Sequence, residues 1–446
     1  MSELSFVTAL AQLGEPPLMA AVRVNAGDTA WMLAATALVL LMTPALGLFY
    51  AGLVRAKNTL NTFMMCVAAL AVATVMWALI GYSLAFDTGN GFIGGVGYAF
   101  LHDVTFAPRA GTAIPQLLFM TFQATFCIVT TALVSGAVVE RMRFAPFLVF
   151  SALWSVLVYA VLAHWAFGGG WLQAHGTLDF AGGVPVEMGS GFSALAAALV
   201  VGARKDYGRQ ALLPHNAVYV LLGAGLLWFG WFGFNGGSGF STGNPSVLAF
   251  TNTLLTPACT LVVWFGLDLL RGNKVTAIGA ATAIIVGCVG ITPAAGYVSP
   301  TWAMALGAIA ALPSYAIIVW RPRTRVDETL DVLAAHGTAG FTGILFIGFF
   351  AQLSWNGQSN GLFYGDAGQL GWQAVAAVAA PVYAFGMTFA LLKLIGLVMP
   401  LRATEYEEAI GMDVVQHGEE AYATGEGAIL ISTEARVEPA VAVAQP

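Results

Sequence analysis

The sequence predicts an all-α, polytopic membrane protein. Eleven transmembrane helices would form two inverted five-helix halves followed by a long eleventh helix. The first observation behind this prediction is composition: 58% of the 446 residues are hydrophobic and 9% are charged. Ordinary soluble domains are about 25% charged, and a water-soluble chain cannot cover this much apolar surface. Lipid is therefore the solvent that fits most of the chain.

The second observation is the length of the apolar runs. A bilayer core requires about 20 mostly apolar residues per helix. Eleven runs meet this requirement, at 30–52, 60–86, 112–139, 143–167, 183–203, 213–234, 246–271, 275–296, 301–320, 334–353 and 371–399. Each run is predicted to be one transmembrane helix.

The third observation is the distribution of Lys and Arg. Alternate connections, together with the segment after the last run, hold 13 of the 17 basic residues, whereas the opposite connections hold Arg23 and Arg109. Basic residues favour the cytoplasmic side. The N-terminus is therefore predicted to be outside the cell and the C-terminus in the cytoplasm, with the spans in the cell membrane. An odd number of spans agrees with ends on opposite sides.

These patterns divide the chain into three regions. Residues 1–27 form an extracellular segment or a possible leader, although a leader normally opens with basic residues and this one does not. Residues 28–401 form the membrane domain. Residues 402–446 form an acidic cytoplasmic tail with nine acidic and two basic residues.

The same composition excludes several classes of site. Nucleic acid is not expected as a partner, and the net charge of −6 comes from the tail, since residues 402–446 carry −7 and residues 1–401 sum to +1. The four cysteines all lie in apolar runs without a Cys-x-x-Cys pair, so they predict neither a disulfide nor a metal site. No cofactor is expected.

One spacing suggests the internal duplication. Asp179 is followed eight residues later by Glu187, and Glu328 is followed eight residues later by His336. These pairs fall on the fifth and tenth runs, which would be equivalent in two five-helix halves. Because five is odd, the halves would be inverted, an arrangement common in transporters. Eight helical residues rise about 12 Å, which would bring both Glu187 and His336 close to the membrane centre.

Glu187 and His336 are the strongest candidates for a functional site, because ionisable groups deep in a membrane are costly and usually functional. Imidazole both accepts and donates a proton near neutral pH, and a carboxylate beside it favours its protonated form. The functional interpretation is a proton-handling pair. The structural alternative is a hydrogen-bonded pair that holds two helices together.

Aromatic residues form a second candidate site. Phe122 and Phe126 are four residues apart and would share a helix face. Phe167 closes the fourth run, and Phe234 precedes Ser238 near the end of the sixth. A cation is attracted to aromatic faces, and a hydroxyl can accept one of its N–H donors. Aromatic residues near span ends are also common as interface anchors.

Two further residues have competing interpretations. Asp179 could bind a cation, but an Asp before Phe-Ala-Gly-Gly is more typical of a helix N-cap. The stretch 236–239 matches the Gly-x-Ser-Gly of intramembrane serine proteases, with His336 as a conceivable base for Ser238. Such a short match in a Gly-rich chain has little specificity.

Several stretches together resemble the ammonium transporter family, whose relatives include the fungal methylammonium permeases and the Rhesus glycoproteins. The resemblance covers about residues 28 to 425. The matching stretches are 47–55 (GLFYAGLVR), 81–86 (GYSLAF), 140–144 (ERMRF), 179–183 (DFAGG), 214–216 (PHN), 231–235 (WFGFN), 292–297 (TPAAGY) and 331–337 (DVLAAHG).

The resemblance implies a transporter of ammonium or ammonia, and of methylammonium, rather than an enzyme. It implies a homotrimer in which each protomer has its own pore. An outer site near Phe122, Phe126 and Ser238 would recruit ammonium, Phe126 and Phe234 would form a stacked gate, and His336 would be the second of two paired pore histidines. Below the gate, ammonia would pass through an apolar conduit.

The sequence departs from the family pattern at two positions. Glu187 stands where the first pore histidine is expected, as in some fungal members. Phe167 stands where a Trp usually lines the outer site, and it keeps an aromatic face but lacks the indole N–H. We expect weaker outer binding but not loss of transport.

The resemblance also covers the cytoplasmic tail. Residues 402–425 resemble the family tail that folds against the cytoplasmic face, where bacterial relatives bind a trimeric regulatory protein of the PII class. Two alternatives to transport are an ammonium sensor that signals through this tail and, more remotely, the intramembrane protease.

Overall fold

The computed structural model describes residues 23–422. Within this range eleven helices are long and apolar enough to cross a membrane. We number them as α1 Ala26–Leu53, α2 Ala56–Phe86, α3 Gln116–Ser135, α4 Phe144–Ala174, α5 Gly183–Val201, α6 Ala217–Gly237, α7 Asn244–Leu270, α8 Ala277–Ala294, α9 Pro300–Arg323, α10 Leu333–Phe350 and α11 Ala367–Val398. Two short helices follow, α12 Glu405–Ile410 and α13 Met412–His417. The prediction of eleven spans is confirmed.

Residues 1–22 and 423–446 lie outside the described range. The expected extracellular segment or leader falls mostly on the first stretch, and the end of the acidic tail falls on the second.

The surface of the helical bundle is apolar where lipid is expected. Large side chains such as Leu33, Val262 and Val378 are exposed. Exposed apolar surface of this extent would be unfavourable in water, but it matches a hydrocarbon solvent. Helices satisfy their own backbone hydrogen bonds, which is the requirement for crossing a bilayer.

The fifth and tenth spans begin in the same unusual way. Each starts with six residues of π-helix, Gly183–Met188 in α5 and Leu333–Thr338 in α10. Each is also preceded by a buried acid: Glu328 Oε2 accepts from the Leu333 N–H at 3.2 Å, and Asp179 caps the start of α5. Short π-helical segments often occur at functional sites, and here they contain Glu187 and His336.

The start of α5 depends on the Asp179 carboxylate. Its two oxygens accept the N–H groups of Gly182, Gly183 and Val184 at 2.9, 2.8 and 2.7 Å. These donors have no intrahelical acceptor at a helix start. The carboxylate therefore has the contacts of a capping residue.

Spans α5 and α10 cross at glycines. A Cβ on Gly191 would overlap the backbone of Gly337, and a Cβ on Gly340 would overlap the Cβ of Glu187. Gly191 lies four residues after Glu187, and Gly340 lies four residues after His336. Small residues allow membrane helices to approach closely. The two spans thus use the same device reciprocally, as expected for equivalent members of two related halves.

Buried charges connect the helices at the face that carries most of the basic residues. Glu140 contacts Arg55 at 3.0 Å and Arg204 at 2.6 Å, and Arg204 also contacts Asp327 at 2.8 Å. Glu140 and Asp327 are about 1% exposed. The neighbouring arginines lower the pKa of Glu140 despite its burial, so the carboxylate is held in its charged form.

The first part of the tail packs against this same face. Asp413 accepts the N–H groups of Leu60 and Asn61, near the start of α2, at 3.0 and 2.7 Å. Glu407 in α12 pairs with Arg143, at the start of α4, at 2.6 Å. The acidic residues of the tail therefore meet helix N-termini and basic side chains, where negative charge is favourable.

Candidate functional site

A cavity of about 520 Å³ opens at the end of the bundle opposite the basic face. We call it the outer vestibule. Its lining includes Phe126 from α3, Phe167 from α4, Ser238 after α6, and Asp179 from the connection before α5. Four side chains that are far apart in the sequence are thus brought to one cavity.

Phe122 does not line this cavity, which corrects the expectation that Phe122 and Phe126 present one face to the solute. Phe122 is fully buried behind Phe126, with ring centroids 4.9 Å apart. The face of α3 that lines the vestibule carries Phe119, Gln123 and Phe126. Four-residue spacing places Phe122 near the right helix face, but its ring packs against Gly237 at the end of α6 and lies 5.8 Å from the Phe240 ring, behind the cavity lining.

The floor of the outer vestibule is a stacked aromatic pair. The rings of Phe126 and Phe234 lie 3.9 Å apart at an interplanar angle of 21°. Trp231 packs on Phe234 at 5.7 Å and donates its indole N–H to Thr292 Oγ1 at 2.8 Å. Both phenylalanines are about 1% exposed. The pair therefore closes the cavity with tightly packed carbon.

Beyond this pair lies a narrow apolar conduit. Its accessible volume is about 20 Å³, enough for roughly one water-sized molecule. Glu187 and His336 are its charged or titratable lining residues, and the rest of the lining is apolar or aromatic: Met42, Leu46, Phe49, Val129, Leu133, Val186, Leu227, Trp231, Phe234 and Ile285. A hydrated ion has no room here.

Glu187 and His336 face each other across the conduit. A hydrogen bond of 2.8 Å joins His336 Nδ1 and Glu187 Oε2, and the residues are 4% and 0% exposed. Glu187 Oε1 has no hydrogen-bond partner among residues 23–422. The pair is thus buried, in direct contact, and holds an oxygen that can accept another donor.

His336 also lines a third cavity of about 400 Å³, at the basic face. This inner vestibule shares Phe49, Ile285 and His336 with the conduit. Its polar lining includes Arg321 and Asp331, which pair at 2.6 Å. The cavities therefore follow one another through the protein: the outer vestibule, the aromatic pair, the conduit and the inner vestibule.

Ser238 and His336 lie on opposite sides of the aromatic pair. Ser238 Oγ lines the outer vestibule and donates to the Phe234 carbonyl at 2.8 Å. His336 lines the conduit and is bonded to Glu187. No Ser238–His336 hydrogen bond occurs in the described part of the chain. The protease interpretation is wrong.

A fold of eleven spans with two cavities joined by a narrow, largely apolar channel defines a membrane protein that conducts a small solute. Comparison with known proteins gives the family. The Ammonium Transporter Family profile matches residues 30–422. The chain is 45% identical to the ammonium transporter of Bacillus subtilis strain 168, over 89% of this chain and 98% of that protein. This chain belongs to the ammonium transporter family.

Solved structures agree with this assignment. The crystal structure of Candida albicans Mep2 matches with a TM-score of 0.81 and 35% identity, over 86% of this chain and 88% of that one. A structure described as a Sensor Amt Protein matches with a TM-score of 0.81 and 28% identity, over 88% and 98%. The fold is thus shared by proteins with different descriptions, whereas sequence identity is higher to the transporter. The family is one of transporters rather than enzymes.

Proposed function

We propose that this protein carries ammonium across a cell membrane by binding the ion outside, removing a proton, and passing neutral ammonia through the conduit. Methylammonium would follow the same route. The observation that carries the proposal is the Glu187–His336 pair, which lies between the two vestibules behind an aromatic pair.

Recruitment takes place in the outer vestibule. The rings of Phe126 and Phe167 offer π faces to a cation. Ser238 Oγ donates its proton to the Phe234 backbone carbonyl, so its lone pairs are free to accept a hydrogen bond from the ion. Ammonium and potassium ions are similar in size and charge, so size cannot separate them. Hydrogen-bond acceptors favour the ion that has N–H donors. The Asp179 carboxylate already accepts three backbone N–H groups as a helix cap, so it attracts the cation by its negative charge and does not bind it directly.

Deprotonation follows from the dryness of the conduit. Moving an unpaired ion into an apolar space is far more costly than moving a neutral molecule. When the Phe126–Phe234 gate opens to the ion, one N–H bond of ammonium breaks, its electron pair stays on nitrogen, and the proton passes to the Glu187–His336 pair. The pair then releases this proton through His336 into the inner vestibule, where ammonia that has crossed the apolar stretch takes up a proton, and the pair returns to its starting state.

The test is uptake of labelled methylammonium by proteoliposomes that contain the purified protein. We expect uptake well above that of protein-free liposomes. Uptake by the wild-type protein and by Glu187→His is compared at several pH values between about 5 and about 8. The pH dependence of uptake should shift in Glu187→His, because this variant replaces a carboxylate with an imidazole. Uptake no faster than in protein-free liposomes would refute the proposed function.

A sensing role is the alternative, with the tail as its output. It is less favoured because the identity is 45% to a transporter and 28% to the protein described as a sensor. The uptake experiment separates the two, since a sensor need not move its ligand.

We further propose three features that follow from the family. The protein forms a homotrimer through exposed apolar helix faces, which native mass spectrometry would test.

The protein lies in the cell membrane, with residues 1–27 outside, residues 28–401 as the transport domain and residues 402–446 in the cytoplasm. A PII-class protein binds the cytoplasmic face beside α12 and α13, which co-purification with such a protein would test.

A further inference from the structure

Gln123 lies on the face of α3 that lines the outer vestibule. It is one turn before Phe126 and one turn after Phe119, and all three contribute to the cavity wall. Gln123 is 4% exposed, so its amide is buried in a setting dominated by aromatic rings. A Gln on a buried membrane-helix face is costly unless its polar atoms have partners.

The carbonyl oxygen of this amide lacks a partner. Gln123 Oε1 is buried and receives no hydrogen bond within residues 23–422. Gln173, which lines the same cavity, differs: its Oε1 accepts the Gly169 N–H at 2.7 Å. Buried polar atoms almost always have a hydrogen-bond partner. An acceptor left open beside a cavity therefore points to a donor that comes from outside the protein.

A second oxygen of the same cavity has the same property. Thr177 Oγ1 is buried without a hydrogen-bond partner in the described range. Ser238 Oγ donates to the Phe234 carbonyl, so what it presents to the vestibule is lone pairs. The wall of the vestibule thus contains several oxygens whose capacity to accept a hydrogen bond is not filled within residues 23–422. A small cation with several N–H donors complements this set.

We propose that Gln123 Oε1 is a ligand of the outer ammonium site and that it contributes to discrimination against potassium. This inference rests on the proposed function and deepens it by adding a specificity residue. A directional acceptor stabilises an ion that donates a hydrogen bond. Potassium has no donor and gains less from two or three oxygens, since it normally needs a fuller oxygen shell.

The test compares Gln123→Met with Gln123→Glu. Met keeps a similar unbranched shape and removes the strong acceptor, whereas Glu keeps acceptor oxygens in nearly the same place. The control is Gln116→Met, the same change on the same helix but outside the vestibule lining, where the side chain contacts the Tyr82 hydroxyl at 3.5 Å. Ammonium-driven current is measured in proteoliposomes against ammonium concentration, with and without potassium.

We expect Gln123→Met to raise the KM for ammonium about 10-fold, the size of one hydrogen bond to a charged group, with the maximal current within about twofold. Inhibition by potassium should increase, while Gln123→Glu should keep the KM near or below the wild-type value. Gln116→Met should match wild type in both quantities. A purely structural role for Gln123 would lower the maximal current and would not change potassium inhibition selectively.

An unchanged KM in Gln123→Met would overturn the inference and would mean that Oε1 holds only a structural water. A wild-type protein without current would instead refute the proposed function. In that case the role of Gln123 is tested without transport, by measuring the thermal unfolding temperature in ammonium chloride and in potassium chloride. Wild type should be stabilised more by ammonium than by potassium, and Gln123→Met should lose this difference; equal behaviour of the two proteins would overturn it.

Discussion

Two buried glutamates of this protein have opposite environments. At the basic face, Glu140 Oε1 accepts from Arg55 N and Nε at 3.0 Å and from Asn58 at 2.8 Å, and Oε2 accepts from Arg204 at 2.6 Å. In the conduit, the Glu187 carboxylate has one hydrogen bond, between Oε2 and His336 Nδ1 at 2.8 Å, and Oε1 has no partner within residues 23–422. Burial alone does not distinguish them, because both are about 1% exposed or less.

The difference teaches how to separate structural from functional charge in a membrane protein. Glu140 is surrounded by two arginines, which stay protonated at any relevant pH, so it cannot readily exchange a proton. Glu187 is bonded to an imidazole, which can gain or lose one. A fully satisfied carboxylate holds helices together, whereas a partly satisfied one beside a titratable partner can take part in proton transfer.

The largest effect is expected at the pore. Glu187→Ala should abolish or sharply reduce ammonium-driven current, by at least about 100-fold, because it removes the proton acceptor that lies in the conduit. The variant should still insert into the membrane and should remain folded when it is purified in detergent. Current in proteoliposomes is the measurement, with Glu187→Gln as a variant of matched size; unchanged current in both would exclude the relay.

At the basic face the effect should be on stability. Glu140→Ala leaves Arg55 and Arg204 without their shared partner, and removal of one member of a buried charge network costs about 3–5 kcal/mol. Thermal unfolding in detergent should therefore shift strongly downward, whereas Glu187→Ala should shift it less. If Glu140→Ala unfolds at the wild-type temperature, the contrast between the two glutamates is lost.

A smaller effect is expected at a third carboxylate. Burial raises the pKa of Asp179 to about 6 from 3.8, although three backbone N–H groups oppose the shift. The folded state then holds this proton more tightly than the unfolded state, so this group's contribution to the unfolding free energy decreases as the pH rises from 3.8 towards 6. Over the same pH range the Asp179 carboxyl loses its proton, and the resulting negative charge favours a cation in the outer vestibule.

Ammonium affinity should consequently weaken in acid. Lowering the external pH from about 7 to about 5 should raise the KM for ammonium by about two- to threefold, since most Asp179 side chains become protonated. The measurement is current against ammonium concentration at each pH. A control at higher pH, from about 7 to about 8, should show no such change in KM, and a flat KM over the acid range would contradict this role for Asp179.

Part of the site could be predicted from the sequence because its residues are rare. Glu187 and His336 are identifiable as acidic and imidazole groups inside long apolar runs, and their equal spacing from Asp179 and Glu328 suggests related positions in two halves. No sequence pattern singles out Gln123, although it lies three residues before Phe126 in an apolar run. The role proposed for Gln123 rests on an Oε1 atom without a hydrogen-bond partner in residues 23–422, which no local sequence pattern reports.

The sequence by itself determined the eleven spans, the division of charge between the two faces, and the place of the candidate pair on the fifth and tenth spans. These follow from local hydrophobicity and from helical rise, which act within about 20 residues of chain. Only the tertiary structure decided that Phe126 stacks on Phe234, that Phe122 lies behind them, and that Glu187 keeps an open oxygen. Those facts depend on contacts between helices that are more than 100 residues apart in the chain, where packing rather than residue type selects the partner.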